Sequence, residues 1–203
     1  SGCTKILIIG GGGNQAGNIS STMDVLKSDL LSKFNYKFVG VAGHPEGSPD
    51  ISNQNLDLAI NEKNNFAKNV DFQMYIATQF FFEAKSLIDW EKHLSTLGNN
   101  LPIHAGIPGP ASIKTLINYA RSCGIGNSLR FISKQAFNLT KLATLSTPDK
   151  LIYDLASYIH SNQSSNLENI HFYAFGGMKK SADWLNQLSS SELKYNSKNQ
   201  FVL

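Results

Sequence analysis

Five short segments of the chain read as apolar runs: KILIIG (5–10), KFVGVAG (37–43), QMYIATQF (73–80), PIHAGI (102–107) and IHFYAF (170–175). Each is nearly continuous rather than alternating, the pattern of parallel strands covered on both faces. Between them the period lengthens. SSTMDVLKSDLLSKF opens on serines and spaces Met23, Leu26, Leu30 and Leu31 at helical intervals. NLDLAINEKNNFAKN carries Leu56, Ile60 and Phe66, and EAKSLIDWEKHLSTLG closes on Gly98, a helix stop. SIKTLINYARSCG runs from Ser112 to Gly124; NSLRFISKQAFNLTKLAT and PDKLIYDLASYIHS precede the last strand, with the Asn/Ser-rich residues 160–169 as the loop before it. This alternation predicts an α/β fold with right-handed crossovers. No linker, repeat or low-complexity segment divides residues 1–203, so the chain reads as a single domain. Five βα units fit either an open doubly wound sheet or part of a (β/α)8 TIM barrel, which needs eight strands and typically about 250 residues.

Composition narrows the classes. Hydrophobic residues make up 41% and charged ones 16%, within the range of soluble globular proteins. The net charge of +3 is small and the 18 basic residues are scattered, so no nucleic-acid partner is expected. No apolar run approaches the roughly 20 residues of a membrane span. Cys3 and Cys123 stand far apart and without ligand spacing, which argues against a disulfide and for a reducing compartment. The expected location is cytoplasmic. The chain opens Ser1-Gly2-Cys3 with a strand directly behind it, the look of a piece of something longer.

In either architecture the chemistry lies at the carboxyl ends of the strands. Those ends read Gly10 to Gln15, then Ala42 to Asp50, then Thr78-Gln79 with three phenylalanines and Glu83, then GIPGPAS, then GGMKK. A strand that only fills a core has no use for Gln79, because a buried amide needs partners at both ends. The phenylalanines fit packing or a pocket for a flat heterocycle, and Glu83 fits a first helical turn. In GHPEGSPD, Asp50 fits the cap of the next helix as well as a ligand contact. Gly11, Gly13 and Ala16 satisfy the GxGxxG/A dinucleotide pattern, but the next strand ends in Gly43-His44 rather than in an acid for a ribose. No metal is expected: no second histidine stands at ligand spacing, and His104 and His171 lie inside strands.

Four of these segments, VGVAGHPEGSPDI, YIATQFFFEA, PIHAGIPGPASIKTL and IHFYAFGG, together resemble the methylenetetrahydrofolate reductase family, in its order and roughly its spacing. The resemblance implies a (β/α)8 barrel binding FAD at its strand ends. It implies hydride transfer from NAD(P)H to flavin and on to 5,10-methylenetetrahydrofolate, giving 5-methyltetrahydrofolate for one-carbon and methionine metabolism. The five strands would be the fourth to the eighth, the first three and their catalytic glutamate preceding Ser1. The implied cofactor-binding residues are Gly12, Ala42, His44, Ser48, Pro49, Asp50, Asp57 and Lys63. The implied substrate-binding residues are Gln79, Thr115, Tyr119 and Lys179. Two positions depart from the family: Gly12 replaces an aspartate near the flavin, and Gly177 an arginine for the substrate, with Lys179 or Lys180 close by. The partner expected is a folate, and assembly into a homo-oligomer is left open. Two other readings stand beside this one: a folate-binding methyl-transfer protein without redox chemistry, and a Rossmann-type NAD(P)-dependent oxidoreductase.

Overall fold

The computed structural model describes residues 2–10, 17–28, 30–31, 33–126, 130 and 142–190, and the backbone of two short strands, Lys194–Tyr195 and Phe201–Val202. The glycine run from Gly11 to Ala16, with Gly12 in it, lies outside the described residues, as does most of the helix predicted over 127–144.

Five parallel strands form one sheet: β1 (Lys5–Ile8), β2 (Phe38–Gly43), β3 (Gln73–Thr78), β4 (Ile103–Pro108) and, after two-residue strands β5 (Ala111–Ser112) and β6 (Leu145–Ser146), β7 (Leu167–Tyr173). Their order across the sheet is β1-β2-β3-β4-β7, the order of the chain. A doubly wound sheet reverses direction at a switch point; these strands do not. The result is an α/β fold wound in one sense, and the Rossmann alternative has no place in this topology.

Helices α1 (Thr22–Leu26), α2 (Asn53–Ala67), α3 (Ala84–Thr96) and α5 (Asp149–Ser161) supply Leu26, Ile60, Leu87, Leu94, Leu151 and Leu155 to one core with Val39, Val41, Ile76, Ile103 and Ile107 of the strands. Alternate strand residues point the other way, and there Tyr75 stacks on His104 at 4.1 Å and Lys5 lies over the Tyr75 ring at 4.6 Å. Helix α6 (Met178–Ser190) follows β7 and docks by stacking Trp184 on Phe172.

Three differences from the sequence reading have plain causes. The first helix is five residues, closed at its start by a Ser21–Asp24 capping box, and Leu30 beyond it is exposed. The helix after β2 is capped by Ser52, whose hydroxyl accepts from Asn55 N–H, so Asp50 is not its cap. The last strand starts three residues early, at Leu167, because β4 pairs with it through Ile103↔Leu167 and the exposed Glu168 and Asn169 lie on an edge strand.

Candidate functional site

The register carries the strand ends to one rim. Gly43 pairs with Thr78, and Gln79 N–H donates to the Gly43 carbonyl at 2.8 Å, so the amide sits beside His44 at the carboxyl end of the sheet. Helix α4 (Ile113–Ser122) does not cover the sheet as a crossover helix; α5 does. Instead α4 lies over the rim, where Ala120 and Ile125 cluster with Phe80. Its end touches the loop after β2: Pro49 Cγ stands 2.7 Å from where a Cβ on Gly124 would be.

The Lys63 side chain, 7% exposed, reaches from α2 to the end of β2 and donates to the Ala42 carbonyl at 3.5 Å. A buried ammonium held by one long hydrogen bond is poorly compensated. Burial therefore lowers the Lys63 pKa, against a smaller upward pull from Glu62. His44 is lowered as well, first by burial and then by the Lys63 charge, which keeps the imidazole neutral near pH 7. Ala42, His44 and Lys63 thus form one cluster. Its spare feature is a cation with one long hydrogen bond, a group that suits a bound anion.

In the adjoining loop the Ser48 hydroxyl accepts from Asp50 N–H at 3.3 Å, and Pro49 and Asp50 are exposed. Asp57, on α2, is turned to α3 and holds His93 Nε2 at 3.0 Å.

At the end of β3, the Gln79 side-chain oxygen accepts from Phe80 N–H at 3.1 Å, which leaves the amino group as its donor end. Tyr119 of α4, 43% exposed, stacks on Phe175 at 4.1 Å, and Phe175 meets Phe80 edge-on at 4.7 Å. The Thr115 hydroxyl is 2.8 Å from Ser112 Oγ, inside the N-terminal cap of α4. Lys179 pairs with Asp183 one helical turn on, at 2.7 Å, in the open. Gly177 has φ +102, a conformation a side chain would strain, so an arginine is disfavoured there by the turn itself. A cavity of about 320 Å³ lies behind this rim among Phe82, Pro108, Leu116, Lys85 and Lys150. It lies just past the carboxyl ends of β3 and β4, between the starts of α3 and α5 and beside α4.

The sequence reading placed Thr78 at a strand end but gave no site role to it, to Tyr173 or to Phe175. Tyr173 packs on Phe175 at 5.4 Å and on His171 at 4.9 Å, and its hydroxyl donates to the Thr78 carbonyl at 3.0 Å. Burial, with a smaller effect of Cys123, pushes the Tyr173 pKa up to about 12. The signal was the i, i+2 spacing of His171 and Tyr173, which puts them on one face of the last strand, with Phe175 two residues past its end.

A model of the methylenetetrahydrofolate reductase family matches residues 2–183. The chain belongs to that family. Methylenetetrahydrofolate reductase 2 of Saccharomyces cerevisiae is 28% identical over 167 residues, covering 77% of this chain and 26% of that protein. The chain therefore spans about a quarter of the length of this curated relative. Among the described residues no helix is long and apolar enough to cross a membrane, and no cluster of three or more His, Cys, Asp or Glu could hold a metal.

Proposed function

We propose that the five strands are the fourth to eighth of a (β/α)8 barrel that reduces 5,10-methylenetetrahydrofolate to 5-methyltetrahydrofolate with NAD(P)H, as a cytoplasmic enzyme of one-carbon and methionine metabolism. The observation that carries this reading is the adjacency, at one rim of a chain of this family, of the buried cation Lys63 and the oriented amide of Gln79. Lys63, the Ala42 backbone and neutral His44 would hold FAD, with Ser48, Pro49 and Asp50 beside them. The chemistry a bound flavin supplies is the relay of hydride from NAD(P)H to the folate methylene carbon.

The chain's own residues bind and orient. Lys63 places a fixed positive charge under the end of β2, where burial strengthens its pull on an anion. Gln79 offers two N–H donors to the acceptor edge of a pterin while Phe80 N–H fixes the amide plane. The stacked pair Tyr119–Phe175 presents a flat apolar wall that excludes water and can take an aromatic ring.

The test uses the full-length protein, its visible spectrum and anaerobic mixing with NADH or NADPH. A yellow protein that bleaches on mixing and recolours with 5,10-methylenetetrahydrofolate is the expected result. A colourless protein that takes up no FAD would remove the proposal. A methyl-transfer protein without redox chemistry is the second reading, favoured by the Gly177 backbone and the Lys179–Asp183 pair, which leave the substrate-side arginine unreplaced. It predicts folate binding without nicotinamide-driven bleaching.

A further inference from the structure

The end of β3 is held in an unusual way. The β3–β4 ladder pairs Ile76↔Ile103 and Ala77↔His104 and then stops. One residue later, the Gly106 N–H of β4 donates to the side-chain oxygen of Thr78 at 2.8 Å instead of to a carbonyl. The Thr78 carbonyl, left free by that exchange, accepts from the Tyr173 hydroxyl at 3.0 Å. Thr78 is fully buried, at 0% exposure. The approach is close: a Cβ on Gly106 would lie 2.4 Å from the Thr78 carbonyl oxygen and 2.8 Å from that of Gln79. On the β2 side, Gln79 is fixed by its own N–H to the Gly43 carbonyl. On the β4 side the connection is Thr78.

We infer that Thr78 is a positioning residue: its hydroxyl, anchored on Gly106 N–H, sets the direction in which Gln79 presents its amide to the folate. The inference rests on the proposed folate reading of Gln79. Thr78 touches no ligand itself. A strand end that leaves its ladder one residue early has lost the regular hydrogen bonds that fix side-chain direction. The substitute bond restores one, and only a short side chain with an acceptor on Cβ reaches it. Threonine and serine satisfy that geometry; valine has the same shape and no acceptor, and it leaves Gly106 N–H buried and unpaired.

The experiment measures 5-methyltetrahydrofolate affinity of the FAD-loaded full-length protein for Thr78→Val, Thr78→Ser, Gln79→Ala and the double variant Thr78→Val/Gln79→Ala. Retained FAD absorbance marks the folded molecules, and Thr78→Ala replaces Thr78→Val if the latter does not fold. A small misplacement of a binding group costs one to two orders of magnitude. The expected result is about a tenfold weaker Kd for Thr78→Val, near-native affinity for Thr78→Ser, and no further loss in the double variant beyond Gln79→Ala alone. Additive losses in the double variant, or a serine that fails to restore binding, would overturn the positioning role. Unchanged affinity in Gln79→Ala would overturn the folate reading beneath it, and that outcome is separate from the other two.

Discussion

At the amino-terminal ends of the strands the buried polar groups are tied to one another. Asn64 donates to the Ile60 carbonyl and to Asn99 Oδ1 and accepts from Asn100 N–H; Asn99 donates to the Leu101 carbonyl; Glu91 Oε1 accepts from the Ser165 hydroxyl and Asn166 N–H. At the carboxyl ends the polar groups have room to spare. Lys63, the next residue to Asn64 on the same helix, has a single 3.5 Å bond, and the Gln79 side chain is bonded through its oxygen to the adjacent Phe80 N–H. Two neighbours on α2 thus serve opposite ends of the sheet under opposite rules. A network paired this far, with Glu91 Oε2 its one buried side-chain atom among the described residues that lacks a hydrogen bond, stabilises the fold and leaves little for a ligand. An under-partnered cation costs stability and waits for one. That division is the expected one for parallel βα units, with stability below and chemistry above.

Breaking the lower network should have the largest effect. Asn64→Leu strands the Asn100 N–H and removes the short bond to Asn99 Oδ1, and is expected to cost about 3 kcal/mol in urea unfolding. FAD affinity of the molecules still folded should stay native; a parallel loss of FAD affinity would show that the two ends are not independent.

A second test uses pH and the open face of the sheet. Burial, then Lys5, then His171 lower the His104 pKa from 6.5 to about 4. Its folded form resists protonation while the unfolded chain accepts a proton. Stability is therefore full above about pH 6.5 and falls as pH drops toward about 4, by about 2 kcal/mol. His104→Gln should flatten that limb of the stability–pH curve. The lowered pKa of His171 adds a contribution of the same sign.

Lys63→Met sharpens the contrast from the other end. Removing a poorly paired buried charge should raise the stability of the FAD-free protein by about 1 kcal/mol and weaken FAD binding at least about tenfold. If stability falls instead, the lysine is structural and the rim is not a site in waiting. The smallest effect belongs to Lys179→Ala, which removes an exposed i,i+4 pair and should change stability by less than about 0.5 kcal/mol. A large rise in folate KM from that change would mean that Lys179 leaves Asp183 to meet the substrate.

Much of the fold was legible because its strands are continuous apolar runs, each ending where glycine, amide or imidazole begins. The sheet-facing helices followed from spacing, as with Leu87 and Leu94 on α3. The start of β7 was not legible, since Glu168 and Asn169 read as loop when an edge strand tolerates them in water. Nor was the place of α4: its period marks an apolar face, and a period does not say whether that face meets the sheet or the rim. Of the site, the pairing of Gln79 with the end of β2 was legible from strand order and length. The turn of Asp57 toward His93 was not, because a helix shows its neighbour only after packing.

The sequence by itself determined which segments are strands, that they run parallel, and that His44 and Gln79 belong to the same end of the molecule, because periodicity and strand polarity are local properties of the chain; that β1 and β7 are only partly buried was not in it. The tertiary structure alone decided what each polar group has for company: Thr78 with Gly106 and Tyr173, Tyr119 with Phe175, Lys63 with almost nothing. Those partners are distant in the chain, and the energy of a buried polar group depends on what surrounds it rather than on what precedes it.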